Sequence, residues 1–500
     1  MITAKLGNKT YRIPDNLEKY FQNFRDQVIG INQEFESPYG KKVIIYADWT
    51  ASGRLYRPIE RKISEVFGPY MANTHTESNI TSLMMTGMYN QSKKIIKDHV
   101  NAGPRDVIIL DGFGMTSVMN KFQRILGLRI PEQWKQRIKL ATKERPVVFL
   151  SHMEHHSNQT SWLETIAEVV IVNPAKDGGI DLKHLKQLLL KYKNRSIKIG
   201  SFTACSNVTG IQTQYHQLAK IMHQHGGLCF IDFAASAPYV KIDMHPKDPL
   251  EKLDAVFFSP HKFLGGPGTS GVLIFDSRLY KNRIPDHPGG GTVTWTNPWG
   301  GHQYYKEIEL REDGGTPGIL QAIRTALCIN LKEKMGIENM LNREKEQLEL
   351  LLSKLERVPG VHILEGGRKD RLGIVSFYVE NIHYNLIVRL LNDRFGIQVR
   401  GGCSCAGTYG HYLLNIDKTA SKKITDKINQ GDMSAKPGWV RFSVHPIMTN
   451  KEIHLFVEAM KGIIENIEEW QKDYIYDAAS NDYFYSNFVR QDMSPLFELG

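Results

Sequence analysis

Cysteine is scarce: Cys205, Cys229, Cys328, Cys403 and Cys405 are the five in 500 residues. Their irregular spacing excludes a disulfide framework and fits a reducing compartment. Long apolar runs are missing too. Stretches such as Val43 to Ala47 fall far below the roughly 18 residues that cross a bilayer. Residues 1–20 mix Lys, Asn, Asp and Glu and lack the apolar core of a secretory signal. A cytoplasmic protein with no membrane partner is expected. Nor is there a basic tail or repeat. Sixty-three Lys and Arg against 53 Asp and Glu give +10, but the excess is spread along the chain, so nucleic acid is not the expected partner. With 41% hydrophobic residues and dispersed Gly and Pro, low-complexity and collagen-like chains are excluded as well.

What is present is strand-helix alternation. Strand-like runs rich in Val, Ile and Phe fall at Val43–Asp48, Val107–Leu110, Val147–Ser151, Val169–Val172, Ile197–Thr203, Leu228–Phe233, Ala255–Ser259 and Gly271–Phe275. Helical periods lie between several of them, at Thr116–Leu126, Leu182–Lys193 and Gln214–His225. Almost continuously apolar strands predict a mostly parallel sheet covered by helices on both faces, with ligands at the strands' carboxyl ends. After a Pro/Gly-rich passage, Pro285–Gly301, come helices Ile319–Lys334 and Ile337–Leu355, then strands Ile374–Val379, Ile397–Arg400 and Val440–Val444. A last helix, Glu452–Lys472, sets Ile453, Phe456, Met460, Ile463, Ile467 and Trp470 on one stripe. The expected fold class is therefore α/β. A large domain (36–300) is accompanied by a smaller α+β domain (301–475), with residues 1–35 packing on the latter and a tail over 476–500.

Four strand ends carry chemistry. In Ser259-Pro260-His261-Lys262-Phe263-Leu264-Gly265-Gly266, a lysine follows a buried strand beside hydroxyl and imidazole donors. That setting suits an imine with a carbonyl cofactor, and phosphate binding, better than a solvated surface lysine. Asp232 ends the strand Leu228–Phe233. Alone it reads equally as a turn cap, whereas with Lys262 it suits a protonated pyridine nitrogen. Asp111-Gly112-Phe113-Gly114-Met115-Thr116 opens a helix at a Gly turn, a ready anion site or a plain capped turn. The His/Glu cluster Ser151-His152-Met153-Glu154-His155-His156 lacks the spacing of a zinc site, and His155 is preferred as a flat group against a cofactor ring. No metal is expected.

Taken in this order, these motifs resemble the class V aminotransferase family of pyridoxal-phosphate enzymes, over about residues 43 to 465 and most closely its cysteine desulfurase and selenocysteine lyase branch. The resemblance implies pyridoxal 5'-phosphate on Lys262, the pyridine nitrogen on Asp232, the ring stacked by His155 and its hydroxyl bonded by Asn207. It implies a phosphate held by Gly114, Met115, Thr116, Ser259 and His261, with Thr316 reaching in from the second subunit of a homodimer. Cys405, in Arg400-Gly401-Gly402-Cys403-Ser404-Cys405-Ala406, falls on the sulfur-accepting nucleophile. Arg441 with Arg400 falls on the clamp for the substrate carboxylate, and Ala51 and His75 on the substrate mouth. The implied reaction turns L-cysteine into alanine and a Cys405 persulfide, whose sulfur passes to a thiol or an acceptor protein. Two positions depart from the family pattern: Ala235 stands where many relatives have glutamine, and the entry segment Asn73–Ser78 is unusual. A polar insertion, Thr408–Lys436, is expected as a solvated loop. Transamination, epimerisation or β-elimination on the same cofactor, or a binding protein without catalysis, are the alternatives.

Overall fold

The structure, a computed structural model, describes the chain apart from residues 1, 2, 7, 8, 13, 15, 75, 136, 139, 488–491 and 500. In chain order, the elements that frame the site begin with α1 (Leu17–Arg25), β1 (Ile45–Tyr46), α2 (Ile80–His99), β2 (Asp106–Asp111) and α3 (Met115–Ile125). Next come β3 (Val147–Ser151), α4 (His156–Leu163), β4 (Glu168–Val172), α5 (Leu182–Lys191), β5 (Lys198–Thr203), α6 (Tyr215–Gln224), β6 (Leu228–Asp232), β7 (Ala255–Phe258) and β8 (Gly271–Asp276). The remainder comprises α7 (Ile319–Met335), α8 (Ile337–Leu355), β9 (Val361–Ile363), β10 (Ile374–Val379), α9 (Tyr384–Phe395), β11 (Ile397–Gln398), β12 (Arg400–Gly402), α10 (Gly407–Leu413), α11 (Lys418–Asn429), β13 (Trp439–Ser443) and α12 (Asn450–Trp470).

Strands β2 to β8 form one seven-stranded sheet in the order β2-β8-β7-β6-β5-β3-β4. Pairing is parallel from β7 to β4, and β8 runs antiparallel to both of its neighbours. Every residue of β3, β5, β7 and β8 is buried, which requires cover on both faces, as the continuous apolar runs predict. One apolar cluster, around Val118, Phe122, Trp162, Phe230 and Phe257, fills one face; the other face belongs to the main core.

A four-stranded antiparallel sheet, β9-β10-β13-β12, packs with α8, α9 and α12. Helix α12 starts with a capping box, Thr449 with Glu452, and buries Ile453, Phe456, Met460 and Ile463 of the expected stripe. Helix α1 lies on α8, tied by Arg25 to Glu452 at 2.8 Å. The tail hairpin Tyr474–Asp477 with Asp482–Tyr485 packs on α9, where Arg389 meets Asp482 at 3.2 Å.

Three expectations change. The run Val43–Asp48 is not part of the large sheet: β1 pairs in parallel with β11, and Asp48 bridges to Ser443. From Ile45 its burial alternates, with Ile45 and Ala47 buried and Tyr46 and Asp48 half-buried, which marks a half-covered strand rather than a doubly covered one. The single strand expected at Ile397–Arg400 is two, β11 and β12, each with a different partner. The insertion expected as a loop forms α10 and α11, with Asp417 capping α11 through Ala420 N–H. Among the described residues, no helix is long and apolar enough to cross a membrane.

Candidate active site

The carboxyl ends of β3, β5, β6 and β7 open on a cavity of about 400 Å³, closed on its far side by β12, β13 and the turn that carries Cys405. Lys262, Asp232, His155, Asn207, Ser259, His261, Gly114, Met115, Thr116, Ala51, Arg400, Arg441 and Cys405 all line it, so residues scattered over nearly 400 positions converge. Ala235 lines it too. Thr316 does not; it is exposed, and its hydroxyl accepts from Asn73 Nδ2 at 3.2 Å. His75 lies outside the described residues.

Asp232 is both a turn cap and a candidate ligand. Its Oδ1 accepts from Ala234 N–H at 2.8 Å, while no bond is recorded to Oδ2 among the described residues. Burial pushes its carboxyl up to about 6, against the Ala234 bond and the charge of Lys262. Lys262 closes a short 3-10 turn after β7, and its Nζ has no hydrogen-bond partner among the described residues. Burial brings that amine down to about 8, with the Asp232 carboxylate opposing. A buried amine brought well below its usual range beside a buried carboxylate is the combination that suits imine chemistry at a pyridine cofactor.

One end of the cavity is an anion cradle. Helix α3 begins without a side-chain cap, leaving its first amides to other acceptors. Met115 N–H donates to Ser259 Oγ at 2.8 Å, and Thr116 Oγ1 bonds Ser157 Oγ at 2.6 Å. A Cβ on Gly114 would stand 3.2 Å from Ser259 Oγ and 3.6 Å from the His261 ring, so only glycine keeps this space open. These hydroxyls, amides and an imidazole fit a phosphate group, and with Lys262 and Asp232 they fit pyridoxal phosphate.

His155 is the residue before α4; its Nδ1 accepts from Ser157 N–H at 3.1 Å, which fixes the ring. Burial brings it down to about 3, aided by the charge of Lys262, so the ring is neutral. Below it, Glu154 is buried and accepts from Ser151 Oγ at 2.5 Å, Asn158 Nδ2 at 2.7 Å and Thr203 N–H at 3.0 Å, joining the ends of β3 and β5. Asn207 Nδ2 donates to Ser404 O at 2.7 Å, so the amide expected at a ring hydroxyl already grips the cysteine turn.

At the opposite end, Arg441 and Arg400 face each other across β13 and β12 and share one carboxylate. Asp48 Oδ1 accepts from Arg441 Nη2 at 2.6 Å, and Oδ2 accepts from Arg400 Nε at 3.0 Å. Arg441 Nη1 also donates to Asn207 O at 3.1 Å, and its buried Nε has no partner among the described residues. Arg441 and Arg400 both line the cavity, and two guanidinium groups there are suited to an incoming carboxylate. Cys405 is exposed at the cavity; Cys403 is half-buried, packed with the cluster of Ala406, Tyr409 and Trp439 and outside the lining. Sequence reasoning passed over Asp48, His156, Ser157 and Thr203. Asp48 had a findable signal, an acidic residue ending an apolar run, as at Asp232.

The family model described as "Aminotransferase class-V" matches residues 45–456. A probable cysteine desulfurase of Halalkalibacterium halodurans is 26% identical over 367 residues, covering 73% of this chain and 84% of the relative. One of Staphylococcus aureus is 25% identical over 383 residues, covering 76% and 87%. Among solved structures, the apo cysteine desulfurase of Thermococcus onnurineus NA1 aligns with a TM-score of 0.70 at 23% identity, over 91% of this chain and 99% of that one. A cysteine desulfurase of Escherichia coli in its S-sulfonic acid form aligns with a TM-score of 0.69 at 19% identity, over 90% and 99%. These structures share the fold, with its mostly parallel seven-stranded sheet and smaller sheets beside it. On its own residues 45–456, the chain belongs to the class V aminotransferase family of pyridoxal-phosphate enzymes.

Proposed function

We propose that the protein is a cytoplasmic, pyridoxal-phosphate-dependent cysteine desulfurase: L-cysteine and the Cys405 thiol become L-alanine and a Cys405 persulfide. The observation that carries this reading is that Cys405 is exposed at the same cavity that Lys262, Asp232 and Arg441 line. Its sequence relatives, named as probable cysteine desulfurases, support it.

When bound, the cofactor supplies an electron sink for charge developing at the substrate Cα. The chain's own residues do the rest. Gly114, Met115, Thr116, Ser259 and His261 would hold the phosphate, with Thr316 completing the cradle from the second subunit of a homodimer. Asp232 would hold the pyridine nitrogen, and the neutral His155 ring would face the cofactor ring. Arg441 and Arg400, which line the cavity, hold the substrate carboxylate and so orient the sulfur towards Cys405. Lys262 Nζ carries the proton to and from Cα. The Cys405 thiolate attacks the substrate sulfur, forming the S–S bond as the C–S bond breaks; the bond's electron pair stays with the carbon fragment, which gains a proton at Cβ to become alanine. The persulfide then passes its terminal sulfur to a thiol or an acceptor protein.

Product analysis tests this. Cofactor-loaded wild-type protein with L-cysteine and a reductant is expected to give alanine and sulfide, and Cys405→Ala neither. Pyruvate, or no product from either protein, would overturn the reading.

A further inference from the structure

Cys405 sits in a backbone conformation that an ordinary side chain resists. Ser404 and Cys405 both have left-handed φ, at 52° and 56°. Ala406 N–H donates to Cys403 O at 3.0 Å across them. Two left-handed centres under such a bond are the mark of a type I′ turn, whose usual occupants are Asn and Gly. A serine and a cysteine there are strained, and strained residues persist only where their surroundings over-determine them.

The surroundings do so here. Each carbonyl of the strained pair has its own donor: Asn207 Nδ2 reaches Ser404 O at 2.7 Å, and His156 N–H reaches Cys405 O at 2.8 Å. Trp439 Nε1 donates to Ser404 Oγ at 3.2 Å. His156 then grips the chain a second time, because its ring Nε2 accepts from Gly407 N–H at 2.9 Å. One turn further along α4, Gln159 Oε1 accepts from Thr408 Oγ1 at 2.8 Å. The first turn of α4 and the segment from Ser404 to Thr408 are thus fastened together, and among the described residues His156 is the one whose backbone and ring both take part. It is also the direct neighbour of His155, so the fastening ties the nucleophile to the cofactor-facing end of α4.

We propose that His156 is a positioning residue for Cys405, holding the strained turn that aims the thiol into the cavity, with Asn207 as its counterpart on the opposite carbonyl. The consequence for sulfur transfer rests on the desulfurase reading; the fastening itself does not. The ring must be neutral at Nε2 to accept from Gly407, and burial, with the charge of nearby Lys436, lowers its basicity in that direction.

The test compares wild type with His156→Ala, His156→Gln and His156→Ala combined with Ser404→Gly. Gln presents an amide oxygen near the place of Nε2, and Gly at 404 removes the side-chain objection to a left-handed φ. Two readouts are taken: amide hydrogen exchange of the peptide spanning residues 403–410, without substrate, and the first-turnover rate of the +32 Da persulfide on Cys405. In His156→Ala, exchange of that peptide should accelerate at least tenfold and persulfide formation should slow at least tenfold, while KM for L-cysteine stays within threefold. His156→Gln should return both readouts to within threefold of wild type, and Ser404→Gly should recover part of the persulfide rate. If the alanine variant does not fold, His156→Asn, too short to reach Gly407, takes its place with the same expectations. Wild-type exchange in His156→Ala, a Gln variant no better than Ala, or a loss carried by KM alone would overturn the proposal. If wild type itself forms no persulfide, the desulfurase reading falls, and the exchange results still decide the fastening.

Discussion

Replacing Asp48 by alanine strands a buried charge. Its carboxylate serves two guanidinium groups, Arg441 at 2.6 Å and Arg400 at 3.0 Å, and the two differ in burial. The Arg441 side chain is 3% exposed, so losing its counter-charge leaves an uncompensated buried cation, at a cost of about 3–5 kcal/mol. The Arg400 side chain is 48% exposed, and its pair contributes at most about 1 kcal/mol. Asp48→Ala is therefore expected to lower the unfolding free energy by about 3–5 kcal/mol, nearly all of it through Arg441. Removing the stranded charge as well, in Asp48→Ala with Arg441→Met, should recover most of the loss; pairing Asp48→Ala with Arg400→Met should not. Urea unfolding followed by tryptophan fluorescence measures this, with the unfolding rate as the measure where refolding is incomplete. L-cysteine brings the carboxylate that the variant lacks, so saturating substrate should stabilise Asp48→Ala more than it stabilises wild type. A loss below about 1 kcal/mol, or a double variant with Arg441→Met that is no more stable than Asp48→Ala, would refute Asp48 as the counter-ion of a buried arginine.

Gly114→Ala puts a Cβ 3.2 Å from Ser259 Oγ, which is held by Met115 N–H; cofactor affinity should fall about tenfold by fluorescence titration, and a change under twofold counts against the cradle. Only a neutral amine attacks an aldehyde, and Lys262 titrates at about 8, so the rate of cofactor uptake should rise about tenfold per pH unit below 8 and level off above it. In Asp232→Asn the carboxylate no longer favours the protonated amine, and the midpoint of that profile should move to lower pH; an unmoved midpoint would separate the two groups.

Lys262, Asp232, Ser259, His261 and His155 were legible because each ends or follows a buried strand, and parallel strands deliver their carboxyl ends to one place. Their neighbours were not legible where the contact is made across the chain. Nothing local in Ala47-Asp48-Trp49 says that its carboxylate meets Arg400 and Arg441, 352 and 393 residues away. The run at Val43–Asp48 showed a strand but not its sheet, because apolar density reports burial and not partner. The left-handed pair Ser404–Cys405 was hidden for a different reason: neither residue type announces positive φ, and the donors that impose it come from Asn207, His156 and Trp439. The insertion was read as a loop from its polarity, yet α11 has a capping Asp417, half-buries Ser421, Ile424 and Ile428, and meets His411 of α10 at Ser421, a sparse apolar stripe that overall polarity masks.

The pairing of β1 with β11 also sets an order of assembly during synthesis. Residues 106–276 contain all seven strands of the large sheet and every candidate cofactor ligand on it, so that half of the site can form while the chain is still growing. Residues 45–48 cannot. Their partners at 396–398, 400, 441 and 443 emerge some 350 residues later, which at a synthesis rate of about 5–20 residues per second is a wait of roughly 20 to 70 seconds. Throughout that interval the nascent chain has the sheet's part of the cavity without Arg400, Cys405 and Arg441. The last quarter of the chain is thereby the part that completes the cavity.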